Sequence, residues 1–404
     1  MAIKAGQILH DANGFVIDRI QTGGISGLNI PEEKIYELGN YQTVATVRDI
    51  PDLSFEMESL DVSTEVEALL HGQDPTTTND GDMFDFLGAM PLDVISPFKS
   101  GNGNFDIVRG IAIPYLTLEN ATYRFGVRQN STQSFTLRGD SVMYAPGTPK
   151  FQSFTISGAG PYTFSATPTI PYVEAGDTLY AWGVCLKNPT TGAYKRLFFE
   201  AGGSSGYTNN STTFTLQAVP DAAYTEVHVV YGTTAATSYP QTVHQGTSVK
   251  PATVRGKDID VYVSTASATT VLGRWSGVQS VEVTRSVALD NDEEFGNAHY
   301  VAQDYDTADV TGNITIKPAD PADLWAKIAQ ISNVATNEAA GALTSAPLAV
   351  EIRVYDPDDH SNLLKTLYVP DARFQVPAIQ GTVQQKLTTQ FNFTSDGGVL
   401  EVYQ

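Results

Sequence analysis

The chain is poor in the residues that mark several functional classes. Of its 404 residues only Cys185 is a cysteine, which excludes an internal disulfide framework and Cys-rich zinc sites. Basic residues are outnumbered 24 to 45 by acidic ones, a formal net charge of −21, so the clustered Lys and Arg that grip phosphate are lacking. No run approaches the roughly 18 apolar residues of a membrane-spanning helix. The opening MAIKAGQILHDANG has no apolar signal core, so a soluble chain outside the secretory route is expected. Apolar residues nonetheless make up 41%, too many for a disordered acidic tail, and the length suits two to three domains of about 150 residues each.

Gly, Pro, Thr and Ser are spread between short runs with period-two alternation, such as Phe55–Met57, Tyr123–Val127, Phe135–Leu137, Glu226–Tyr231 and Ala349–Tyr355. That pattern predicts strands broken by turns. Two stretches predict helices. In STEVEALLHG, Thr64 and Glu67 are spaced for a capping box. In DPADLWAKIAQI, Asp320 is placed as N-cap and Pro321 as the first helical residue.

The chain resembles itself. Glu37–Asp52 aligns without gaps to Glu294–Asp309, identical at Glu37/Glu294, Gly39/Gly296, Asn40/Asn297, Val44/Val301, Ala45/Ala302, Asp49/Asp306 and Asp52/Asp309. A longer block, Leu87–Leu137 against Leu343–Phe393, matches Pro91-Leu92 to Pro347-Leu348, Pro114 to Pro370 and Phe135 to Phe391. The two expected helices fall on the same diagonal, as do Val16/Val271 and Arg19/Arg274. Shared composition does not fix a diagonal, so two copies of one domain are expected, at 1–146 and 250–404. Residues 147–249 have no counterpart. Their six or seven short strands suggest an inserted β-sandwich of immunoglobulin or fibronectin type, with Trp182 and Tyr231 in its core. The overall expectation is a mainly β chain of three domains, each repeat carrying one short helix.

Nothing in the sequence points to catalysis. The G-x-S-x-G match at Gly202–Gly206 is followed by strand and turn residues rather than the helix a nucleophile elbow requires. Six scattered histidines lack zinc spacing, and the acidic clusters Asp290–Glu294 and Asp356–Asp359 do not fit a calcium loop. There is no P-loop or dinucleotide fingerprint. No catalytic residue, cofactor or metal is therefore expected. The connection after the first helix, HGQDPTTTNDGDMFDFLGAMP, carries Met83, Phe84, Phe86 and Leu87, apolar residues expected to be exposed on a monomer and buried between subunits.

The run YELGNYQTVATVRDIPDLSFEMESLDVSTEVEALL resembles the major tail tube proteins of long-tailed bacteriophages. VPAIQGTVQQKLTTQFNFTSDGGVLEVYQ is similar to their closing strands, and RGKDIDVYV with GRWSGVQSVEV to their opening. The resemblance covers both repeats and not the insertion. It implies a small β-sandwich or split barrel flanked by a helix, six such domains per ring, and stacked rings that conduct the genome. Two domains per chain then imply three chains per ring, with the inserted domain displayed outside. Partners by the same resemblance are further copies of the chain and the tape-measure, terminator and tip proteins of the tail. DNA would pass without sequence-specific binding, and the location would be the virion, after assembly in the bacterial cytoplasm. An acidic lumen would repel phosphate, with Glu56 and Glu58 the type of carboxylate to line it, although acidity also serves plain solubility. The alternative from another class is an adhesin or decoration protein of tandem β-sandwiches binding glycan or protein.

Overall fold

Alternating side chains give each strand one face to bury, and the fold is built by pairing those faces. The computed structural model describes residues 9–12, 15–17, 19–38, 42–60, 62–71, 82–84, 90–99, 105–145, 149–157, 160–165, 181–189, 194–198, 206–209, 213–217, 222–232, 238–239, 253–265, 271–295, 299–317, 347–375, 378–380 and 388–404. Within them the protein is mainly β, with large antiparallel sheets and one α-helix.

The first segment carries β1 (Leu9–Ala12), β2 (Phe15–Val16), β3 (Ile20–Asn29), β4 (Glu32–Ile35), β5 (Ala45–Arg48), β6 (Asp52–Ser59), α1 (Glu65–His71), β7 (Met90–Lys99), β8 (Phe105–Gly126), β9 (Thr132–Gly139) and β10 (Met143–Ala145). The middle segment carries β11 (Pro149–Thr155), β12 (Tyr162–Ser165), β13 (Ala181–Lys187), β14 (Tyr194–Leu197), β15 (Tyr207–Asn209), β16 (Thr213–Leu216), β17 (Glu226–Gly232) and β18 (Ser238–Tyr239). The last segment carries β19 (Ile259–Thr265), β20 (Val271–Arg274), β21 (Val278–Asp292), β22 (Ala302–Ile316), β23 (Leu348–Tyr355), β24 (Leu363–Phe374), β25 (Ala378–Gln380), β26 (Thr388–Ser395) and β27 (Glu401–Tyr403).

Strand β6 shows the local logic. Leu53, Phe55 and Met57 are buried while Ser54, Glu56 and Glu58 alternate to the other face. Each such apolar side chain stabilises the fold by about 1.5–3 kcal/mol. The long strand β8 turns the corner between two layers, pairing with β7 along its first half and with β9 along its second. Strand β24 does the same between β23 and β26.

Pairings of the first segment recur in the last. Ile20 faces Ser59 and Val278 faces Ile316, and a bulge follows each pair at once. Ile35 faces Ala45 as Asp292 faces Ala302. Met57 faces Phe135 as Ile314 faces Phe391, and Leu118 faces Leu137 as Phe374 faces Phe393. One strand departs from the sequence alignment. Leu92 faces Ile113, but the partner of Val369 is Val350, two residues beyond the position aligned with Leu92. A slip of two keeps every side chain on its own face, so sequence similarity does not penalise it. Gly39 and Gly296 lie outside the described residues.

At one pair of positions the sizes are exchanged. Phe55 lies directly opposite Leu137, whereas the corresponding positions hold Gly312 and Phe393. A Cβ on Gly312 would sit 2.2 Å from the Phe393 ring, so that ring fills the space Phe55 takes in the first segment. Gly312→Ala is expected to cost about 1–3 kcal/mol by overpacking. Phe393→Leu in the same chain should recover part of it, read as urea midpoints. A neutral single substitution would remove the argument.

The middle segment forms two sheets, β11-β17-β13-β14 and β12-β16-β15, closed over Ile156, Val184, Leu186, Phe214, Leu216, Val227, Val229 and Tyr231. This is the expected sandwich architecture, with Tyr231 in the core; the side chain of Trp182 lies outside the described residues. Strand β15 leaves no strand pattern in the sequence, being three residues long beside a Gly- and Ser-rich run. Strand β18 returns to pair with β8, Ser238 facing Asp106.

Helix α1 forms where expected, but the capping box does not. Glu67 Oε1 turns inward to Tyr123 and Lys365, and Oε2 has no hydrogen-bond partner among the described residues. The second expected helix, 320–331, and the long connection after it lie outside the described residues.

Candidate assembly interface

Strands from both ends of the chain share one sheet. Along 120–124, β8 pairs with β9 on one side, and on the other it pairs with β21 from Asn120 opposite Ser286 to Gly126 opposite Ser280. The continuous order is therefore β3-β6-β9-β8-β21-β22-β26-β25. Across the junction Arg124 lies 3.3 Å from Glu282, and Asn120 and Thr122 bond Ser286 and Thr284.

Beneath the sheet, helix α1 and the residues after it bind the last segment. The ammonium of Lys365 on β24 is fully buried against Glu67, with Gln133 Oε1 at 2.8 Å and the Tyr123 ring centroid at 4.9 Å. Burial, with the Glu67 charge beside it, raises the Tyr123 phenol well above its ordinary range, so it remains a donor to Glu67 at 2.6 Å. Asp82 Oδ1 accepts from the backbone N–H of Val402 on β27 at 2.8 Å, and Met83 N–H donates to Val402 O at 2.9 Å.

This arrangement corrects one expectation. Met83 and Phe84 are buried within the chain, in the core cluster that both segments share, and Arg285 of β21 lies over the Phe84 ring at 5.0 Å. Their partners stand some 200 to 320 positions away, which an inspection of the loop alone does not reveal. Phe86 and Leu87 lie outside the described residues.

The opposite face of the sheet is polar across both segments. Glu56 is exposed and Glu58 half-buried on it, opposite Thr136 and Ser134 of β9. The same face continues through Thr284, Thr311, Asn313, Gln390, Asn392 and Thr394. Hydroxyls and amides predominate, and Arg124 and Arg138 sit among the carboxylates, Arg138 bridging Glu119 and Asp52. Carboxylates still outnumber arginines on the face, Asp52, Glu56, Glu58 and Glu282 against Arg124 and Arg138.

The middle segment is joined to the others through a buried cluster. Arg196 on β14 pairs with Asp140, which follows β9, and its guanidinium lies 4.2 Å from the Tyr115 ring centroid. Tyr115 stacks on Tyr194 at 5.7 Å, and Thr117 Oγ1 donates to Gln303 of β22 at 3.0 Å. Arg196 N–H donates to Val301 O, and Tyr300 N–H to Asp140 Oδ2. Burial works to raise the Asp140 carboxyl, but His299 and Arg196 outweigh it and hold the group well below the usual carboxylate range. Cys185 is buried in the same cluster, and burial pushes its thiol up to about 11. None of this network was legible in sequence, since its members come from three segments.

Among the described residues no group of three or more His, Cys, Asp or Glu is placed to hold a metal, and no helix is long and apolar enough to cross a membrane. Gly202–Ser205 of the G-x-S-x-G match lie outside them. Asp356–Asp359 form a turn closed on itself, Asp358 N–H to Asp356 Oδ1 and Ser361 to Asp359.

No protein-family model matches the chain, and no curated protein does. Among solved structures it is similar to the Dit protein (gp 19.1) of SPP1, described as a paradigm of the hub adsorption apparatus of phages infecting Gram-positive hosts. Identity is 10%, coverage is 56% of this chain and 98% of that one, and the TM-score is 0.20. So slight a likeness carries no function.

Proposed function

We propose that the chain is a structural, non-enzymatic protein of a phage tail, a duplicated tube domain with an inserted immunoglobulin-like domain. Copies assemble into stacked rings, three chains to a ring of six domains, and the lumen conducts the genome. The single observation that supports this most is the β8–β21 junction. There the sheet of the first segment continues into that of the last, the kind of contact by which one tube domain would extend the next, head to tail, and a head-to-tail contact repeats until a ring closes. The polar sheet face, with Glu56, Glu58 and Glu282 among hydroxyls, suits a lumen that neither binds nor dehydrates a passing duplex. The other tail proteins would meet the end rings.

Negative-stain microscopy and native mass spectrometry of the purified chain test this. Rings or tubes with three chains per ring are expected. Separate beads on a string at all concentrations would overturn it and favour the adhesin.

A further inference from the structure

The corresponding hairpins of the two segments differ in what covers them. The β21–β22 arm lies against the first segment and the middle sandwich, and there Val287, Val301 and Arg285 are only 4%, 5% and 8% exposed. By the shared pairing register, their counterparts are Ile30, Val44 and Leu28 in the arm that runs through β3, β4, β5 and β6. These are 44%, 44% and 49% exposed. The arm tips are alike, Leu38 at 110% and Phe295 at 111%, so the difference is confined to the flanks. The uncovered arm is also the more apolar. It holds Leu28, Ile35 and Val47 where the covered one holds Arg285, Asp292 and Asp304. Solvent disfavours such a set on an isolated chain.

The sheet edge is open in the same place. Strand β21 is paired on both sides, by β22 and β8, whereas β3 pairs only with β6 among the described residues. At the far end of the sheet β25, the counterpart of β8 near Thr122, pairs only with β26 among the described residues. Asp396, the counterpart of Asp140, is half-exposed and held only by Arg373 among the described side chains.

We propose that this surface, the β3 edge with the arm from Leu28 to Val47, binds the last segment of a second copy of the chain. The contact copies the one β21 and β22 make with the first segment. Strand β3 lies antiparallel to β25 of the neighbour, with Gly24 opposite its Gln380, as Glu282 lies opposite Arg124 within the chain. The neighbour's Asp396 accepts from Thr43 N–H, as Asp140 does from Tyr300. This rests on the ring reading above and names the surface that closes the ring.

Gly24→Cys with Gln380→Cys tests the register. A Cβ at Gly24 meets nothing within 4 Å, and the native Cys185 is buried. Oxidised rings should run as covalent dimers and closed trimers on denaturing gels, and each single variant as monomer. A second pair of changes, Val44→Asp and Val47→Asp, should abolish rings while leaving the monomer's thermal midpoint unchanged. Rings that form without intermolecular crosslinks, or that persist in the Asp variants, overturn this surface and leave the tube reading standing. A wild-type chain that never assembles overturns both.

Discussion

Lys365→Met is expected to destabilise the chain by about 3–5 kcal/mol, the usual cost of stranding one member of a buried ion pair. Lys365 and Glu67 are both fully buried, and Glu67 Oε2 already lacks a hydrogen-bond partner among the described residues, so no second cation takes over. Glu67→Gln in the same chain should recover much of the loss, because a neutral amide can still accept from the Tyr123 phenol. Urea denaturation of the single and double variants gives the coupling directly. Because Lys365 stands on β24 and Glu67 on α1, the single variant should also weaken the union of the two segments. A neutral Lys365→Met would show that this site is open to water.

Arg196→Leu should cost about 1–3 kcal/mol and act at the other joint, where it leaves buried Asp140 with His299 and the Tyr300 N–H alone among the described residues. Limited proteolysis should then cut between the middle sandwich and its neighbours before either unfolds. The pH dependence has a definite sign. Asp140 is held well below its ordinary range when folded, so the stability it contributes is fully present above the unfolded aspartate value of about 3.9. It is lost only as pH falls further, through the folded value. The unfolded state is common to both chains, so the gap between wild type and Arg196→Leu should narrow as pH falls through the Asp140 value of the variant, which lies above that of wild type once burial is opposed by one cation fewer. A gap that widens in acid would contradict the assignment.

These two joints are what the sequence did not disclose. Strand alternation in Asp52–Ser59 was legible because each residue reports its own face, and the helix Glu65–His71 because its apolar spacing is local. The recurrence of Phe135 and Phe391 was legible because their spacing is shared. Exchange of size between Phe55 and Gly312, balanced by Leu137 and Phe393, was not, since each half of the compensation reads as a mismatch. Glu67 reads in sequence as a capping residue because its nearest donor there is the helix end; its actual partner, Lys365, is 298 residues away. Met83 and Phe84 read as surface residues for the same reason, their partners being remote in sequence. The exposed flank of the β4–β5 arm, by contrast, is ordinary strand pattern in sequence. It becomes informative only when Val44 is compared with Val301.

The pairing of β8 with β21 is made between strands that one polypeptide already holds together. Tethering turns such an encounter into an intramolecular one, with an effective concentration on the order of millimolar for a short flexible link. A contact too weak to bring two separate domains together at cellular dilution is then fully occupied. That relieves the junction of any need for strong apolar anchors, and its outward side can be Asn120, Thr122, Thr284 and Ser286. The untethered edge at β3 has no such help, and it is there that Leu28, Ile30 and Val44 stand exposed.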